Sequence, residues 1–349
     1  MKLYTPSYYN PFRCIASACP DSCCKDWAVD VDPEAAARYL TLPGELGDRL
    51  RAVLRDDGDG AYMEIENGRC PMWREDGLCR IQAALDHDAL CHVCRTFPRL
   101  RHDYGDFAEL GLELSCPEAA RLILSGPWDT LCTETSGGEE ADYEPDIMDI
   151  LLHSRREALA LTADPSLSVP ELLAVLLLYA HEVQAQLDGA EALPFSAAQA
   201  LADARRYAQQ GDLAALLGFF QNLEILTDTW SQRLADALSC HCEGDRVSGG
   251  GIALNDHDSP WSDTYRLLIR YFLERYWLQA VSDYDLVCRV KLTLAACLVI
   301  HALGGDLTQT AQAFSKEIEN DPDNVETILD GAYTSPALTD VNLLSLLLT

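Results

Sequence analysis

Cysteine is the residue type with which this chain could do chemistry, and it is concentrated in the first third of the sequence. Nine of the fourteen cysteines lie between Cys14 and Cys116. So many free thiols would be an oxidation hazard, and each would pack no better than Ala or Val. The density therefore predicts either disulfide bonds or a bound metal. The thiols form four groups, which read CIASACPDSCC from Cys14, CPMWREDGLC from Cys70, CHVC from Cys91 and SCPE around Cys116.

The choice between disulfides and metal depends on the compartment. The first ten residues, MKLYTPSYYN, contain one Lys and no apolar segment of the kind found in secretory signals. The longest apolar runs, 172–180 and 294–303, fall short of the roughly 20 residues needed to cross a bilayer. We therefore expect a cytoplasmic protein without membrane insertion, in which clustered thiols bind metal or take part in redox chemistry.

The spacing of the thiols favours one kind of metal site over another without fixing its ligands. Zinc is commonly held by two C-x2-C pairs, and only Cys91 and Cys94 form such a pair. Iron–sulfur clusters also take four thiolates but tolerate more varied spacing, which favours a cluster over zinc. Cys23 and Cys24 are adjacent, and in extended backbone their side chains point to opposite faces, so one can bind metal while the other packs. A purely structural metal is an equal alternative at this point.

The other candidate residues give weaker signals. Cys132, in the predicted linker, is expected to have no metal-binding role. Cys288 and Cys297 lie in apolar helical patterns and are expected to be small core residues. The sequence Cys-His-Cys at 240–242 could bind metal, but it lies in the helical half of the chain. Three histidines among the cysteines could serve as ligands or bases, namely His87, His92 and His102.

The charge of the chain argues against nucleic acid as a partner. The formal net charge is -30, of which -7 falls in residues 1–125 and -23 in the remainder. Such a surface repels phosphates, and its simplest role is solubility, although it can also attract a Lys-rich protein or a cationic small molecule. No G-x-G-x-x-G, P-loop or G-x-S-x-G motif is present.

The elements that position the thiols are predicted to be short and irregular. Alternation and turn signals predict a strand at 27–31 and a hairpin at 62–73 that turns at Asn67-Gly68. Capping signals predict a helix from Pro117 with Ser115 as its cap. The cysteines then fall at strand ends, turns and helix starts, as in a small domain folded around a metal. Further helices are expected at 34–40 and 45–55, and a further strand at 107–114.

After residue 146 the pattern is helical almost throughout. The composition of residues 133–146, TETSGGEEADYEPD, predicts a linker. Apolar residues at three- and four-residue spacing then predict packed amphipathic helices. These are expected at 147–161, 169–187, 196–210, 213–226, 230–240, 262–280, 284–302, 306–319, 324–331 and 338–348, with a loop at 243–260.

The fold class that follows is mainly α. We predict a Cys-rich metal-binding domain with a few short strands in residues 1–131 and a linker in residues 132–146. Residues 147–349 are predicted to form an all-helical domain that helps to receive a protein substrate.

Five motifs in this order resemble those of the flagellin lysine N-methylases. They span residues 8–122, and the helical remainder adds no motif. The same region is more distantly similar to cysteine domains that chelate zinc or iron. The motifs are YYNPFRC at 8–14, CPDSCC at 19–24 followed by Trp27, CPMWREDGLCRIQ at 70–82, LCHVCRTFPR at 90–99 and LSCPEAARL at 114–122.

This resemblance implies transfer of methyl groups from S-adenosylmethionine to lysine side chains of flagellin, with a [4Fe-4S] cluster held by the Cys-rich region. Eight thiols exceed the four that one cluster needs, so either a second metal site exists or several of them are structural. A non-enzymatic protein that binds or delivers zinc or iron is the alternative function, and electron transfer is a third. The donor site, the general base and the oligomeric state are not predicted. The metal ligands carried over are Cys14, Cys19, Cys23, Cys24, Cys70, Cys79, Cys94 and Cys116.

Overall fold

The prediction of a mainly α fold is confirmed. A computed structural model describes residues 1–56, 58, 60–138, 140–243 and 261–349. Within these ranges the chain forms fifteen α-helices and seven short β-strands. None of the helices in the described ranges is both long and apolar enough to cross a membrane. The predicted loop at 243–260 lies outside the described residues, except that its first residue ends a helix.

The bounds of the elements follow the chain from the amino terminus. The strands are β1 (Lys2–Pro6), β2 (Val29–Val31), β3 (Leu54–Asp56), β4 (Ala61–Met63), β5 (Arg99–Asp103), β6 (Phe107–Leu112) and β7 (Thr130–Glu134). The helices before residue 200 are α1 (Pro33–Thr41), α2 (Gly44–Val53), α3 (Arg80–Leu85), α4 (His92–Thr96), α5 (Pro117–Ile123), α6 (Pro145–Thr162), α7 (Val169–Leu187) and α8 (Ala197–Tyr207). The later helices are α9 (Leu213–Gln221), α10 (Asp228–Glu243), α11 (Trp261–Tyr276), α12 (Val287–Leu303), α13 (Leu307–Phe314), α14 (Pro322–Thr334) and α15 (Asp340–Leu348).

A four-stranded sheet joins segments that are far apart in the sequence, in the order β5-β6-β1-β7. Strand β1 runs parallel to β6, with Lys2 paired to Phe107, and antiparallel to β7, with Lys2 paired to Glu134. Strand β5 forms an antiparallel pair with β6. Neither β1 nor β7 is expected from the sequence, and β7 includes the first residues of the predicted linker. The division into domains stays a prediction.

The larger hydrophobic core connects this sheet to the helices. Phe12 and Leu112, from the sheet side, belong to the same buried cluster as the residues of α7 and α12. Helix α12 is apolar over nearly its whole length and lies at the centre, with its residues from 287 to 300 buried. Phe314 is fully buried among the rings of Phe220, Trp230 and Phe272. The sheet and the helical body therefore form one packed unit.

A smaller second core lies within the cysteine-rich segment, which we define as residues 14–97. It is built by α1, α2 and the sheet β2-β4-β3, around buried side chains such as Tyr39 and Met63. Asp32 connects the starts of α1 and α4. Its carboxylate accepts hydrogen bonds from the backbone N–H groups of Ala35, at 3.0 Å, and of His92, at 2.6 Å. The predicted turn at 67–68 is also present, with positive φ at both residues.

Local capping signals account for the helix ends that the sequence predicts best. Helix α7 has the predicted bounds, and the Ser168 backbone N–H is bonded to Glu171 Oε2 at 2.8 Å, as in a capping box. The predicted cap of α5 is wrong by one residue, because Cys116 occupies the N-cap position instead of Ser115. The helix predicted at 306–319 also differs from the observed structure. Its α-helical part ends at Phe314, and Ser315–Glu319 form a π-helical turn.

Asp340 connects three helices of the body and gives the fold a pH dependence. Its carboxylate lies 2.7 Å from Lys291 Nζ of α12 and 2.7 Å from His181 Nε2 of α7. Burial acts to raise the pKa of Asp340, but the hydrogen bond with His181 and the charge of Lys291 lower it to about 2. An unfolded aspartate titrates near pH 3.9. The carboxylate therefore stabilises the fold above about pH 4, and this contribution is lost as the pH falls towards 2.

We expect Asp340→Asn to lower the free energy of unfolding by about 1 kcal/mol at neutral pH, since the carboxylate is partly exposed and its ion pairs are screened. The difference from wild type should shrink when the pH is lowered from 5 to 3. Urea unfolding at a series of pH values measures both quantities. A difference that stays constant over this range would contradict the assignment.

Candidate metal centre and adjoining cavity

The nine thiols of the first third lie at the ends of short elements. Cys79, Cys91 and Cys116 occupy the N-cap positions of α3, α4 and α5. Cys70 is brought beside Cys24 by a hydrogen bond from its backbone N–H to the Cys24 carbonyl oxygen, at 2.7 Å. Irregular backbone of this kind presents side chains from several directions, as metal sites in small domains require.

Among the described residues, five thiols pack in or against the second core, and we call them the second-core thiols. Cys70 and Cys91 are buried, and the other three are partly exposed. Burial, together with the charges of Cys24, Cys79 and Cys91, raises the pKa of Cys70 to about 12. The thiols are therefore near enough to act on one another. The second-core thiols are Cys24, Cys70, Cys79, Cys91 and Cys94.

The other four thiols lie where the cysteine-rich segment meets the helical body, and we call them the junction thiols. Cys116 belongs to the larger core, whereas Cys14 and Cys23 are exposed and Cys19 is partly exposed. Burial, together with the charges of Cys19 and Cys14, raises the pKa of Cys116 to about 11. Burial and the charge of Cys14 likewise raise the pKa of Cys19. The junction thiols thus come from both sides of the border between the two cores.

Two thiol pairs share a hydrogen bond. The bond between Cys23 and Cys24 lowers the pKa of Cys24 and raises that of Cys23. The bond between Cys91 and Cys94 lowers the pKa of Cys91 and raises that of Cys94. In each pair a thiolate is stabilised by the S–H of its neighbour. One thiol of each pair is therefore the more readily deprotonated.

The donor chemistry fits a thiophilic metal, although the thiols are not closed around a single point. Thiolates are the preferred ligands of zinc and of iron–sulfur clusters. Within the part of the chain that the structure describes, no three His, Cys, Asp or Glu side chains are placed so that they could hold one metal ion. The residues that would hold a zinc ion or a cluster are those of the two thiol sets, which would have to close around it.

The remaining candidates lie elsewhere. Cys288 and Cys297 are buried in α12, as predicted for core residues. Cys132 in β7 and Cys240 in α10 are exposed. The side chains of residues 241 and 242 lie outside the described residues. Cys132, Cys240, Cys288 and Cys297 do not join either thiol set.

The three candidate histidines are also dispersed. His87 is exposed and lies 3.9 Å from Asp88, and His92 is exposed at the start of α4. His102 lines a cavity of about 660 Å³ on the side of the sheet that faces α6 and α11. Burial lowers the pKa of His102, and its Nε2 has no hydrogen-bond partner among the described residues. None of the three histidines lines a second, separate cavity, which borders the thiols.

The larger cavity carries charge that is already paired. Arg155 binds Glu109 through two hydrogen bonds, and Arg270 lies 3.0 Å from Glu274. Trp128 donates its indole N–H to Glu274 at 2.9 Å and lies under the Arg270 guanidinium. These contacts connect the sheet to α6 and α11 and pair the more buried charges of the lining, whereas Asp129 and Arg156 line the cavity from exposed positions.

A second cavity, of about 490 Å³, adjoins the thiols. We call it the junction cavity. One wall comes from the cysteine-rich segment and includes Cys23, Cys94, Trp27 and Phe97. The facing wall comes from residues 224–226 and 316–322, and Glu113 also contributes. The junction cavity therefore places thiols opposite charged side chains of the helical body.

The π-helical turn supplies the charged wall. All five of its residues are buried, including Lys316, Glu317 and Glu319. Lys316 Nζ lies 2.6 Å from Asp26 and 3.1 Å from Asp21, both in the loop that carries Cys19 to Cys24. Single turns of π-helix are rare, and they recur at functional sites. The sequence gives no signal for this wall, because its charges follow an ordinary amphipathic pattern.

Glu113 is a second functional candidate that the sequence does not reveal, because it lies within a predicted strand (107–114); the observed strand β6 ends one residue earlier, at Leu112. Burial raises its pKa above the usual range. Ser115 Oγ donates to its Oε2 at 3.2 Å. The nearby carboxylate of Glu319 accepts a hydrogen bond from the Tyr276 hydroxyl at 2.8 Å, and its Oε1 lies 3.2 Å from Arg275 Nε. The junction cavity thus has a buried, partly compensated acidic floor.

The fold and the thiols together define a cysteine-rich, mainly α-helical protein with an acidic cavity beside its thiols. The flagellar biosynthetic protein FliU of Salmonella muenchen is 33% identical over 129 residues, which cover 35% of this chain and 76% of that protein. The chain belongs to the flagellin lysine N-methylase family.

Two further relatives are much longer than the matched part. Proteins named lysine-N-methylase from Salmonella typhimurium and Salmonella choleraesuis are each 33% identical over 129 residues. The match covers 35% of this chain and 32% of each of those proteins. No family model matches the chain, and no solved structure matches it.

Proposed function

We propose that the protein is a cytoplasmic methyltransferase that transfers methyl groups from S-adenosylmethionine to lysine side chains of flagellin. A [4Fe-4S] cluster held by the thiols of the two sets is part of this proposal. The observation that carries it is the junction cavity, in which carboxylates face thiols in a chain of this family. Carboxylates and aromatic rings attract both cations of the reaction, the lysine ammonium and the sulfonium of the donor.

The reaction requires a neutral amine. A lysine ammonium has a pKa near 10.4, so fewer than about one lysine in a thousand is neutral at pH 7. The neutral nitrogen attacks the methyl carbon of the sulfonium. The bond from that carbon to sulfur breaks, its electron pair stays on sulfur, and S-adenosylhomocysteine is released. The proton lost from the ammonium passes to a carboxylate of the cavity or to water.

The residues of the junction cavity support these steps in two ways. Removal of the lysine from water among Val93, Phe97 and Trp27 lowers the pKa of its ammonium group. The acidic floor attracts the cation and can accept the proton. A cluster with an open iron, when bound, supplies a site for the amino and carboxylate groups of the donor. Zinc in its place would have a structural role.

The direct test is methylation of flagellin by anaerobically purified protein. We expect iron with a matching amount of acid-labile sulfide, and a mass gain of one or more methyl groups on flagellin lysines when S-adenosylmethionine is added. Flagellin with acetylated lysines is the matched control and should gain no mass. Iron-loaded protein that methylates no lysine would contradict the function. Zinc without sulfide would contradict the cluster and favour a protein that binds or delivers metal.

A further inference from the structure

The junction cavity offers an apolar path from solvent to its charged floor. Val93 and Ile225 line it and are 43% and 36% exposed, so they lie at its open edge. On the wall that carries Val93, the rings of Trp27 and Phe97 lie 6.2 Å apart. Long cationic side chains pack their methylene stems along apolar surface of this kind while the charged group reaches a polar partner.

The charge of the lining selects a cation. Lys316 is its one basic side chain among the described residues, and Asp21 and Asp26 compensate it from outside the lining. An anion would therefore meet uncompensated negative charge, whereas an ammonium group would be attracted. The acidic residues of the lining are Asp30, Glu113, Glu224, Glu317, Glu319 and Asp321.

Two carboxylates of the lining already bind other groups of the protein. Glu317 accepts from the backbone N–H of Leu226 at 2.8 Å. Glu319 accepts from Tyr276 at 2.8 Å and pairs with Arg275 at 3.2 Å. Both hold helices of the body together, and neither is free to follow a ligand.

Glu113 differs from these two. Its side chain is half-buried, and Oε2 accepts from Ser115 Oγ at 3.2 Å. Among the described residues, Oε1 has no hydrogen-bond partner. Oε1 is not fully buried, so an ammonium donor that enters the cavity can reach this oxygen and form a charge-assisted hydrogen bond with it.

We propose that the junction cavity is the binding channel for the substrate lysine, with the methylene stem along Val93 and Phe97 and the ammonium group at Glu113 Oε1. The class of ligand is a primary ammonium on an unbranched apolar stem, presented by an exposed segment of the protein substrate. This inference rests on the proposed methyltransferase function and assigns the lysine side of the reaction to a place in the fold.

Glu113→Gln tests the inference, because it keeps the shape of the side chain and removes its charge. We expect kcat/KM for flagellin to fall by at least about tenfold, while KM for S-adenosylmethionine stays within about twofold. Glu113→Asp, which keeps the charge on a shorter stem, should recover part of the loss. The matched control is Glu326→Gln, at an exposed position on α14 that does not line the cavity. It should leave both constants unchanged.

A second variant keeps the test independent of any folding defect at Glu113. Val93→Arg changes an exposed residue at the open edge and adds a cation that competes for the channel. We expect at least a tenfold fall in kcat/KM for flagellin, with the thermal midpoint unchanged. Glu113→Gln or Val93→Arg protein that methylates flagellin like the wild type would overturn the inference. A wild type that methylates nothing would instead overturn the proposed function, which is a different result.

Discussion

Serine in place of Cys116 is expected to remove the metal held by the junction thiols and to lower flagellin methylation by at least about 100-fold. Cys116 is buried at the N-cap of α5, and among the junction thiols it is the one that belongs to the larger core. Loss of residues that merely orient a metal ligand commonly costs 10- to 100-fold, so loss of a ligand should cost at least the upper value. Iron, sulfide and methyl transfer are measured on the same anaerobic preparation.

The control for this substitution is Cys132→Ser. Cys132 is exposed on β7, outside both thiol sets, and its replacement should change neither the metal content nor the activity. Equal metal content in Cys116→Ser and wild-type protein would show that Cys116 is not a ligand.

Cys70→Ser extends the experiment to the second-core thiols. If the two sets hold separate groups, Cys70→Ser and Cys116→Ser each remove a part of the metal, and the double variant removes all of it. If one site exists and several thiols are structural, a variant at a ligand removes all of the metal and a variant at a structural thiol removes none of it. The metal content of the three variants therefore decides whether the eight thiols implied by the resemblance form two metal sites, or one site beside structural thiols.

Methionine in place of Lys316 is expected to loosen the loop that carries Cys19, Cys23 and Cys24, and to lower the free energy of unfolding by about 2–3 kcal/mol. The Lys316 side chain is 6% exposed and lies between Asp21 and Asp26. Removing one partner of a buried ion pair costs about 3–5 kcal/mol, because the remaining charge is left unpaired. A loss at or just below the lower end of this range is expected here because both aspartates retain some contact with water.

Lys25→Met is the matched control for Lys316→Met. Lys25 Nζ lies 2.7 Å from the same Asp21, but its side chain is 32% exposed. Its loss should cost less than about 1 kcal/mol. Adding Asp26→Asn to Lys316→Met should recover part of the stability, because it removes an unpaired carboxylate. Urea unfolding measures the stability, and hydrogen exchange reports on the loop. Equal losses for Lys316→Met and Lys25→Met would contradict the buried ion cluster.

The elements that the sequence predicts well are those defined by local chemistry. Helix α7 has its predicted bounds because Ser168 and Glu171 form a capping box at its start. Helix α1 likewise begins where Asp32 and Pro33 indicate. Both signals act over a few residues, so they can be read without knowledge of the tertiary structure.

The elements that the sequence does not predict depend on distant partners. Strands β1 and β7 are five residues long, and they are defined by their pairing with each other and by the pairing of β1 with β6. The π-helical turn at 315–319 also has distant partners, since its Lys316 pairs with Asp21 and Asp26. Short strands and helix irregularities of this kind carry little local signal.

The candidate site was predictable in its chemistry but not in its shape. The thiols and their positions at element ends follow from residue type and spacing. The junction cavity, in contrast, combines residues from distant segments, at 23, 27–30, 93–97, 113, 224–226 and 316–322. Glu113 and Lys316 give no sign of their role in the sequence, since that role exists only where these segments meet.

The parallel pairing of β1 with β6 has a consequence for the modularity of the chain. The polypeptide leaves the sheet side near Phe12 and returns at Arg99, whose guanidinium lies 5.1 Å from the Phe12 ring. The chain therefore enters and leaves the intervening segment at two neighbouring points, and the segment has a core of its own. A different segment joined at the same two points would leave the path of the sheet unchanged. Grafting residues 14–97 onto another scaffold requires two anchor points as close as these, together with a cation in the place of Lys316 to pair with Asp21 and Asp26.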